Sequence, residues 1–329
     1  MNFSIIVPLY NRPDEIEELL ESLTKQTNKD FEVIIVEDGS TMKADHIIEK
    51  YKSEFPLQYY YKENEGPGLT RNYGARYAKG KYLIFFDSDC IIPPNYIHEV
   101  TSYVSKNDAD FFGGPDRASS SFTPVQKAIN YSMTSFFTTG GIRGGKNQLE
   151  KFHPRSFNLG VKKSAFEAIN GFSKLRFGED IDLSIRLFEK GFKSALINEA
   201  WVYHKRRTDF RKFYRQIYNS GIARINLFKL HPKSLKIVHF FPSVFTAGTA
   251  ILILLSFFNI WFLSPIIIYA LILFFDSSIK NTNIIIGLLS VAASFIQLIS
   301  YGFGFIESFI KRVLLKKGEF SAFLKNFYD

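Results

Sequence analysis

With one cysteine in 329 residues the chain cannot close an internal disulfide, which excludes the small stapled scaffolds of secreted proteins and fits a reducing compartment. A secretory leader is not in view either: the opening MNFSIIVPLYNRPDE has no basic region, and its apolar run is too short for a signal peptide. The polar part of the chain is therefore expected to stay on the side of the membrane where it is made. Charge is missing over two long stretches, since neither Ile237 to Phe275 nor Asn281 to Ile306 contains Asp, Glu, Lys or Arg. A globular core rarely needs uncharged runs of that length, whereas a bilayer core takes about 20 apolar residues per helical span. The C-terminal third reads as membrane-embedded.

Positive charge is abundant and localised. Between Trp201 and Lys236 ten basic residues face one acid, Asp209, which equals the whole net charge of +9. Such a patch suits nucleic acid, anionic lipid or phosphate-bearing substrates. Because it ends where the first apolar run begins, membrane lipid headgroups are the expected partner and nucleic acid is not, with the cytoplasmic face the expected side.

The first 115 residues alternate short apolar runs with amphipathic segments, the pattern of βαβ units around a largely parallel sheet, and the fold class is α/β. Strands are predicted at Phe3 to Pro8, Phe31 to Glu37, Leu57 to Lys62 and Lys81 to Phe86, with helices over Pro13 to Gln26, Lys43 to Glu54 and Leu69 to Ala78. Pro13 suits a first helical turn, and Asp14, Glu15, Glu17 and Glu18 suit its positive end. Ser119 to Gly145, rich in Ser, Thr, Gly and aromatics, reads as a loop and helix region over the site. Beyond it, Ser156 to Val161 reads as a strand, Lys163 to Ile169 and Gly178 to Lys190 as helices, and Phe192 to Tyr203 as one or two strands. Membrane spans are expected within Val238 to Phe258, Trp261 to Ile279 and Ile284 to Ile306. Three spans would place Lys311, Arg312, Lys316 and Lys317 on the side opposite the polar domain, against the positive-inside tendency, so two or three remain open.

In such sheets ligands bind beyond the C-terminal strand ends. Those ends carry Pro8-Leu9-Tyr10-Asn11-Arg12, Glu37-Asp38-Gly39-Ser40 and Asp87-Ser88-Asp89. Two carboxylates around a serine are often only a turn. Thrown out at a rim by the apolar run KYLIFF, they are also what Mg²⁺ or Mn²⁺ needs when it bridges a diphosphate. Asp38 can equally bond its own backbone, Arg71 can be a surface ion pair, and His204 can be structural. In Gly178-Glu179-Asp180-Ile181-Asp182 any of the acids can serve as a helix cap or as a base.

Taken in order, PLYNR (Pro8 to Arg12), VEDGS (Val36 to Ser40), GPGLTRNYG (Gly66 to Gly74), DSD (Asp87 to Asp89), NLG (Asn158 to Gly160), GED (Gly178 to Asp180) and His204 make the chain resemble the family 2 inverting glycosyltransferases, over about Phe3 to His204. That resemblance implies a GT-A fold, a Rossmann-like mixed but mostly parallel sheet with flanking helices, followed here by transmembrane helices. It implies that Pro8, Tyr10, Asn11, Asp38, Arg71 and Asp87 hold the nucleotide, and that Asp89 and His204 hold Mn²⁺ or Mg²⁺. By the same resemblance Asp180 is the base that takes the acceptor proton, with Glu179 the second candidate.

The expected organisation is a catalytic domain over 1–207, basic amphipathic juxtamembrane helices over 208–236, two or three transmembrane helices over 237–306 and a basic interfacial tail over 307–329. The expected reaction moves a single sugar from a UDP-, GDP- or dTDP-linked donor to a lipid-linked or glycan acceptor, polyprenyl-linked by inference from the anchor, for envelope polysaccharide or glycolipid. Polymer-extruding members carry a Gln/Arg-x-x-Arg-Trp element, and the nearest stretch here, Arg211 to Gln216, has no Trp. The alternative is a catalytically silent nucleotide-sugar or glycan-binding membrane protein on the same fold, against which the intact DSD, GED and His204 argue.

Overall fold

The computed structural model describes residues 1–117, 122–140 and 152–318. The chain runs β1 (Phe3–Leu9), α1 (Pro13–Thr24), β2 (Phe31–Asp38), α2 (Asp45–Glu49), β3 (Leu57–Lys62), α3 (Pro67–Ala75), β4 (Tyr82–Phe86), β5 (Cys90–Ile91), α4 (Tyr96–Lys106), β6 (Phe111–Gly113) and β7 (Asp116–Arg117). Then come α5 (Pro124–Thr134), α6 (Phe136–Thr139), β8 (Asn158–Lys162), α7 (Lys163–Ala168), α8 (Glu179–Glu189), β9 (Ser194–Leu196) and β10 (Val202–His204). It closes with α9 (Phe210–Leu230), α10 (Phe241–Ser256), α11 (Ser264–Asn281) and α12 (Ile284–Phe309). Two compact units result: Met1–Ser119 with Gln148–Lys205, and Ser120–Asn147 with Arg206–Asp329.

The first unit is the expected α/β fold. Its seven-stranded sheet has the order β3-β2-β1-β4-β8-β6-β9. β8 runs antiparallel to β4 and β6, and the other pairings are parallel. Alternate residues feed opposite faces. Ile5, Val7, Val33, Ile35, Ile84 and Phe86 pack with α1 and α4 residues such as Leu19, Leu20 and Ile97. Ile6, Ile34, Val36, Leu83 and Phe85 pack with Phe166, Leu183 and Leu187 on the other side. The chain leaves β1 for β2 and β3, then returns to β1's opposite edge as β4, so the crevice between β1 and β4 is the topological switch point where a ligand is expected. A small second sheet, β5-β10-β7, pairs His204 with Cys90.

The helix expected over Lys43 to Glu54 is shorter: after α2, the amides of Tyr51, Lys52 and Glu54 bond three residues back, to Ile48, Glu49 and Tyr51, so the chain proceeds in turns. The described residues of Ser119 to Gly145 form α5 and α6, which belong to the second unit, and the rest of that segment lies outside the described residues. α5 starts with a reciprocal capping box between Thr123 and Gln126, with Pro124 in its first turn.

Among the described residues of the second unit, three helices, Ile237–Ser256, Ile260–Asn281 and Ile284–Leu314, are long and apolar enough to cross a membrane. α9 lies along α12 with backbones nearly touching: a Cβ on Gly221 would stand 2.3 Å from the Tyr301 carbonyl oxygen, and one on Gly304 2.1 Å from that of Tyr218. Ala128, Ile129 and Met133 of α5 pack with Phe213, Ile217 and Ala293. Two polar pairs are buried in this unit, Asn226 with Arg312 and Ser277 with Ser290 at 2.7 Å, each satisfying a group that a low-dielectric interior would otherwise penalise, and Tyr218 bonds Glu307 at a part-buried position.

Candidate active site

β4 ends at Phe86 and delivers Asp87-Ser88-Asp89 to the switch point. Asp87 Oδ1 lies 2.5 Å from Arg71 Nη2, and Arg71 Nη1 lies 3.2 Å from Glu179 Oε1. Arg71 sits on α3 with its guanidinium 2% exposed and 5.4 Å from the Phe172 ring centre. One cation thus ties the end of β4 to the start of α8.

α8 begins after Gly178, whose φ of 74° belongs to the left-handed region and turns the chain so that Glu179 and Asp180 open the helix. Burial, then the neighbouring Asp180, push the Glu179 carboxyl up to about 7, with Arg71 acting in the opposite direction. Asp180 Oδ1 accepts from its neighbour's amide, Ile181 N, at 2.8 Å, and Oδ2 stands 3.4 Å from Arg155 Nη1. Asp182 is committed elsewhere: Oδ2 receives Arg186 Nε at 2.9 Å and Nη2 at 2.7 Å. Of the acids opening α8, Glu179 is tied to the DSD turn through Arg71, and Asp180 beside it pairs with Arg155.

Asp89 has a cation or imidazole at each oxygen. Oδ1 lies 3.2 Å from His204 Nε2, and Oδ2 lies 3.0 Å from Arg12 Nη1. Burial opposes the Arg12 charge, yet Asp89 and Glu15 raise its pKa above the ordinary value. Phe157 stacks on the His204 ring at 4.3 Å and orients it. Among the described residues, one group has metal-binding spacing, Asp89, Cys90 and His204, with ligand atoms within 4.8 Å of one another. Two neighbouring ligands of an octahedral ion bound at ~2.1 Å stand about 3 Å apart, so the spacing of the Asp89 and His204 atoms suits a divalent ion. Burial raises the Cys90 thiol well above its ordinary range, and its Sγ bonds the Phe157 carbonyl at 3.6 Å, so it is poorly suited to join them.

Asp38, at the end of β2, is 2% exposed. Its Oδ1 accepts from Lys62 Nζ at 2.8 Å and Glu65 N at 3.0 Å, and its Oδ2 from Gly66 N at 2.9 Å. Asn11, with φ of 49°, ties the β1 and β2 loops: its Oδ1 accepts from Thr41 N at 2.8 Å and Met42 N at 3.0 Å. Pro8 and Tyr10 are half-buried on the same strand end. Sequence reasoning gave no role to Arg12, Lys62 or Arg155. Arg12 lies inside a noted motif, whereas Lys62 and Arg155 carry no local signal and meet their partners only through the fold.

Residues 4–169 match the family described as Glycosyl transferase family 2. An uncharacterized glycosyltransferase of Haemophilus influenzae is 34% identical over 209 residues, 61% of this chain and 67% of that protein. The poly(ribitol-phosphate) beta-N-acetylglucosaminyltransferase TarS of Staphylococcus aureus is 37% identical over 114 residues, 33% of this chain but only 20% of TarS. A TarS structure in complex with UDP has a TM-score of 0.51 at 19% identity, covering 94% of this chain and 92% of that one. The mannosyltransferase PcManGT from Pyrobaculum calidifontis, in complex with GDP-Man and Mn²⁺, has a TM-score of 0.64 at 15% identity, covering 89% of this chain and 86% of that one. At those identities the structural likeness concerns the fold. Sequence, fold and the family match agree, and the chain belongs to glycosyl transferase family 2 and is a glycosyltransferase.

Proposed function

We propose that the chain is an inverting, cation-dependent glycosyltransferase that moves a single sugar from a nucleotide-sugar donor to a hydroxyl of a membrane-associated, polyprenyl-linked acceptor, in envelope polysaccharide or glycolipid synthesis, with the catalytic unit facing the cytoplasm. The observation that carries this reading is the Arg71 guanidinium, which grips Asp87 and Glu179 together and so sets the DSD turn and the acidic start of α8 around one cleft. Asp180 takes the acceptor proton as that oxygen attacks the anomeric carbon from the face opposite the diphosphate. The Ile181 amide on Oδ1 fixes the orientation of this base. Asp89 and His204 hold the cation, which when bound neutralises charge on the departing diphosphate.

Pro8, Tyr10, Asn11, Asp38, Arg71 and Asp87 frame the nucleotide. Three of the about four lone-pair sites of the Asp38 carboxylate are already used, which leaves one for a ring N–H of the base. Asn11 acts by holding the two loops in register. The lipid-linked acceptor is supported by the three apolar helices and by the basic stretch that precedes them.

A thermal-shift panel of UDP-, GDP- and dTDP-sugars with and without Mn²⁺ tests the donor reading, because a ligand that binds the folded state raises its melting point. One nucleotide class is expected to stand out, and to do so only with Mn²⁺. Absence of any shift across the panel refutes donor binding. Product analysis with a polyprenyl-linked acceptor then reads the number of sugars added, and a long homopolymer would overturn single transfer.

A further inference from the structure

We propose that Arg12 competes with the divalent cation for Asp89, so that the cation binds weakly by itself and tightly only together with a nucleoside diphosphate. This rests on the reading of Asp89 and His204 as the cation's ligands. Arg12 lies in the connection from β1 to α1, beside the switch point between β1 and β4. Its backbone is fixed on one side by Asn11, clamped to Thr41 and Met42, and on the other by Ile16 N, which donates to the Arg12 carbonyl at 3.2 Å. From there Nη1 reaches Asp89 Oδ2 at 3.0 Å and Glu15 Oε2 at 2.8 Å.

The guanidinium therefore occupies one oxygen of a carboxylate whose other oxygen faces His204. A doubly charged ion on Asp89 meets a fixed positive charge within a few ångströms, and like charges at that range repel strongly in a partly buried site. Glu15, one turn into α1 and in contact with the same nitrogen, is the place to which Arg12 withdraws. A diphosphate reverses the balance. It brings negative charge that offsets the crowding, and its oxygens suit the planar fork of an arginine. By linkage, whatever factor the diphosphate adds to cation affinity the cation adds to diphosphate affinity.

A buttressing role for Arg12 predicts the opposite sign. If Arg12 only held Asp89 in place, its loss would weaken cation binding. The experiment titrates Mn²⁺ into the detergent-solubilised full chain, followed by electron paramagnetic resonance, with Mn²⁺ alone and with UDP or GDP present. Arg12→Gln is expected to tighten binding of Mn²⁺ alone by about tenfold or more and to shrink the tightening by nucleotide by the same factor. Glu15→Gln, which leaves Arg12 to Asp89, is expected to weaken binding of Mn²⁺ alone. Unchanged or weaker binding in Arg12→Gln overturns the proposal, as does a wild-type chain that takes up Mn²⁺ equally with and without nucleotide. Should Arg12→Gln melt too early to measure, Glu15→Gln decides: weaker binding supports the competition, and unchanged or tighter binding overturns it. A wild-type chain and Asp89→Asn that bind Mn²⁺ alike in the presence of nucleotide remove the ligand assignment itself, and the proposal with it.

Discussion

Glu179→Gln isolates the electrostatic cost of the cleft. The Glu179 carboxyl is raised from an ordinary value of 4.5 to about 7, first by burial and then by Asp180, against the pull of Arg71. Between those values the folded state holds a proton that the unfolded state has lost. Its contribution to stability is therefore complete below about pH 4.5 and is lost as pH rises through about 7. At about 1.4 kcal/mol per pH unit the span amounts to about 3 kcal/mol at pH 8, a ceiling because Asp180 shares the titration. Gln keeps the shape and an oxygen for Arg71 Nη1 and does not titrate. Melting curves of both proteins in matched micelles from pH 5 to pH 8 are expected to diverge, with the wild type falling relative to the variant. About 2.5 kcal/mol of that span falls between pH 5 and pH 8, so at about 2–4 °C per kcal/mol for a domain of this size the divergence reaches about 5–10 °C. Parallel curves across that range, or a gap that widens toward pH 5, would refute the reasoning.

Asp180→Asn is expected to lower turnover by roughly 10²–10⁴ while the nucleotide-sugar still raises the melting point; unchanged turnover, read from sugar transfer, removes Asp180 as the base. Asp182→Asn is expected to keep transfer and lose stability, because its carboxylate serves Arg186, and the pair of melting point and turnover separates the two acids. Arg71→Met leaves Asp87 and Glu179 without their shared partner, which costs roughly 3–5 kcal/mol and abolishes the donor-induced thermal shift. Asn158→Leu strands the Tyr96 hydroxyl and the Ala200 carbonyl, bonded to Asn158 at 2.6 Å and 2.9 Å, and is expected to lower stability by about 1–3 kcal/mol in denaturant titration without changing Mn²⁺ affinity.

What was legible in the sequence is what the backbone period encodes. Apolar runs at β spacing alternating with amphipathic helices gave the sheet, and the polar residues following those runs fell on its rim, as Asp38 and Asp87 to Asp89 do. The same periodicity misled at Lys43 to Glu54, where apolar spacing was present but the helix stops at Glu49. In α5, which falls in the loop and helix region expected over Ser119 to Gly145, the starting point is also readable, since Thr123-Pro124 followed by Gln126 is a capping box. The partners of the acids were not legible. Arg12 meets Asp89 across 77 positions, Arg155 meets Asp180 across 25, and Lys62 meets Asp38 across 24. No local pattern specifies such pairs, because their distance is set by strand order.

Those partners explain how a cleft so rich in carboxylates is stable at all. Lys62 stands on Asp38, Arg71 on Asp87 and Glu179, Arg12 on Asp89, and Arg155 on Asp180, each cation supplied by a different segment. Clustered buried acids without them would shift toward protonation, as Glu179 already does. With them, a diphosphate and a divalent ion binding as proposed would exchange partners with charges already in position, so the site would need little reorganisation when charge develops on the leaving group. The distribution of charge along the chain fits this account. The segment Trp201 to Lys236 accounts for the whole net +9, so the charges of the remaining residues sum to zero and the cleft's acids are met by cations from its own unit. On the proposed competition at Asp89, a cleft of internal ion pairs would select ligands by which pair they can replace, and nucleotide and cation would each strengthen the other's binding through Arg12.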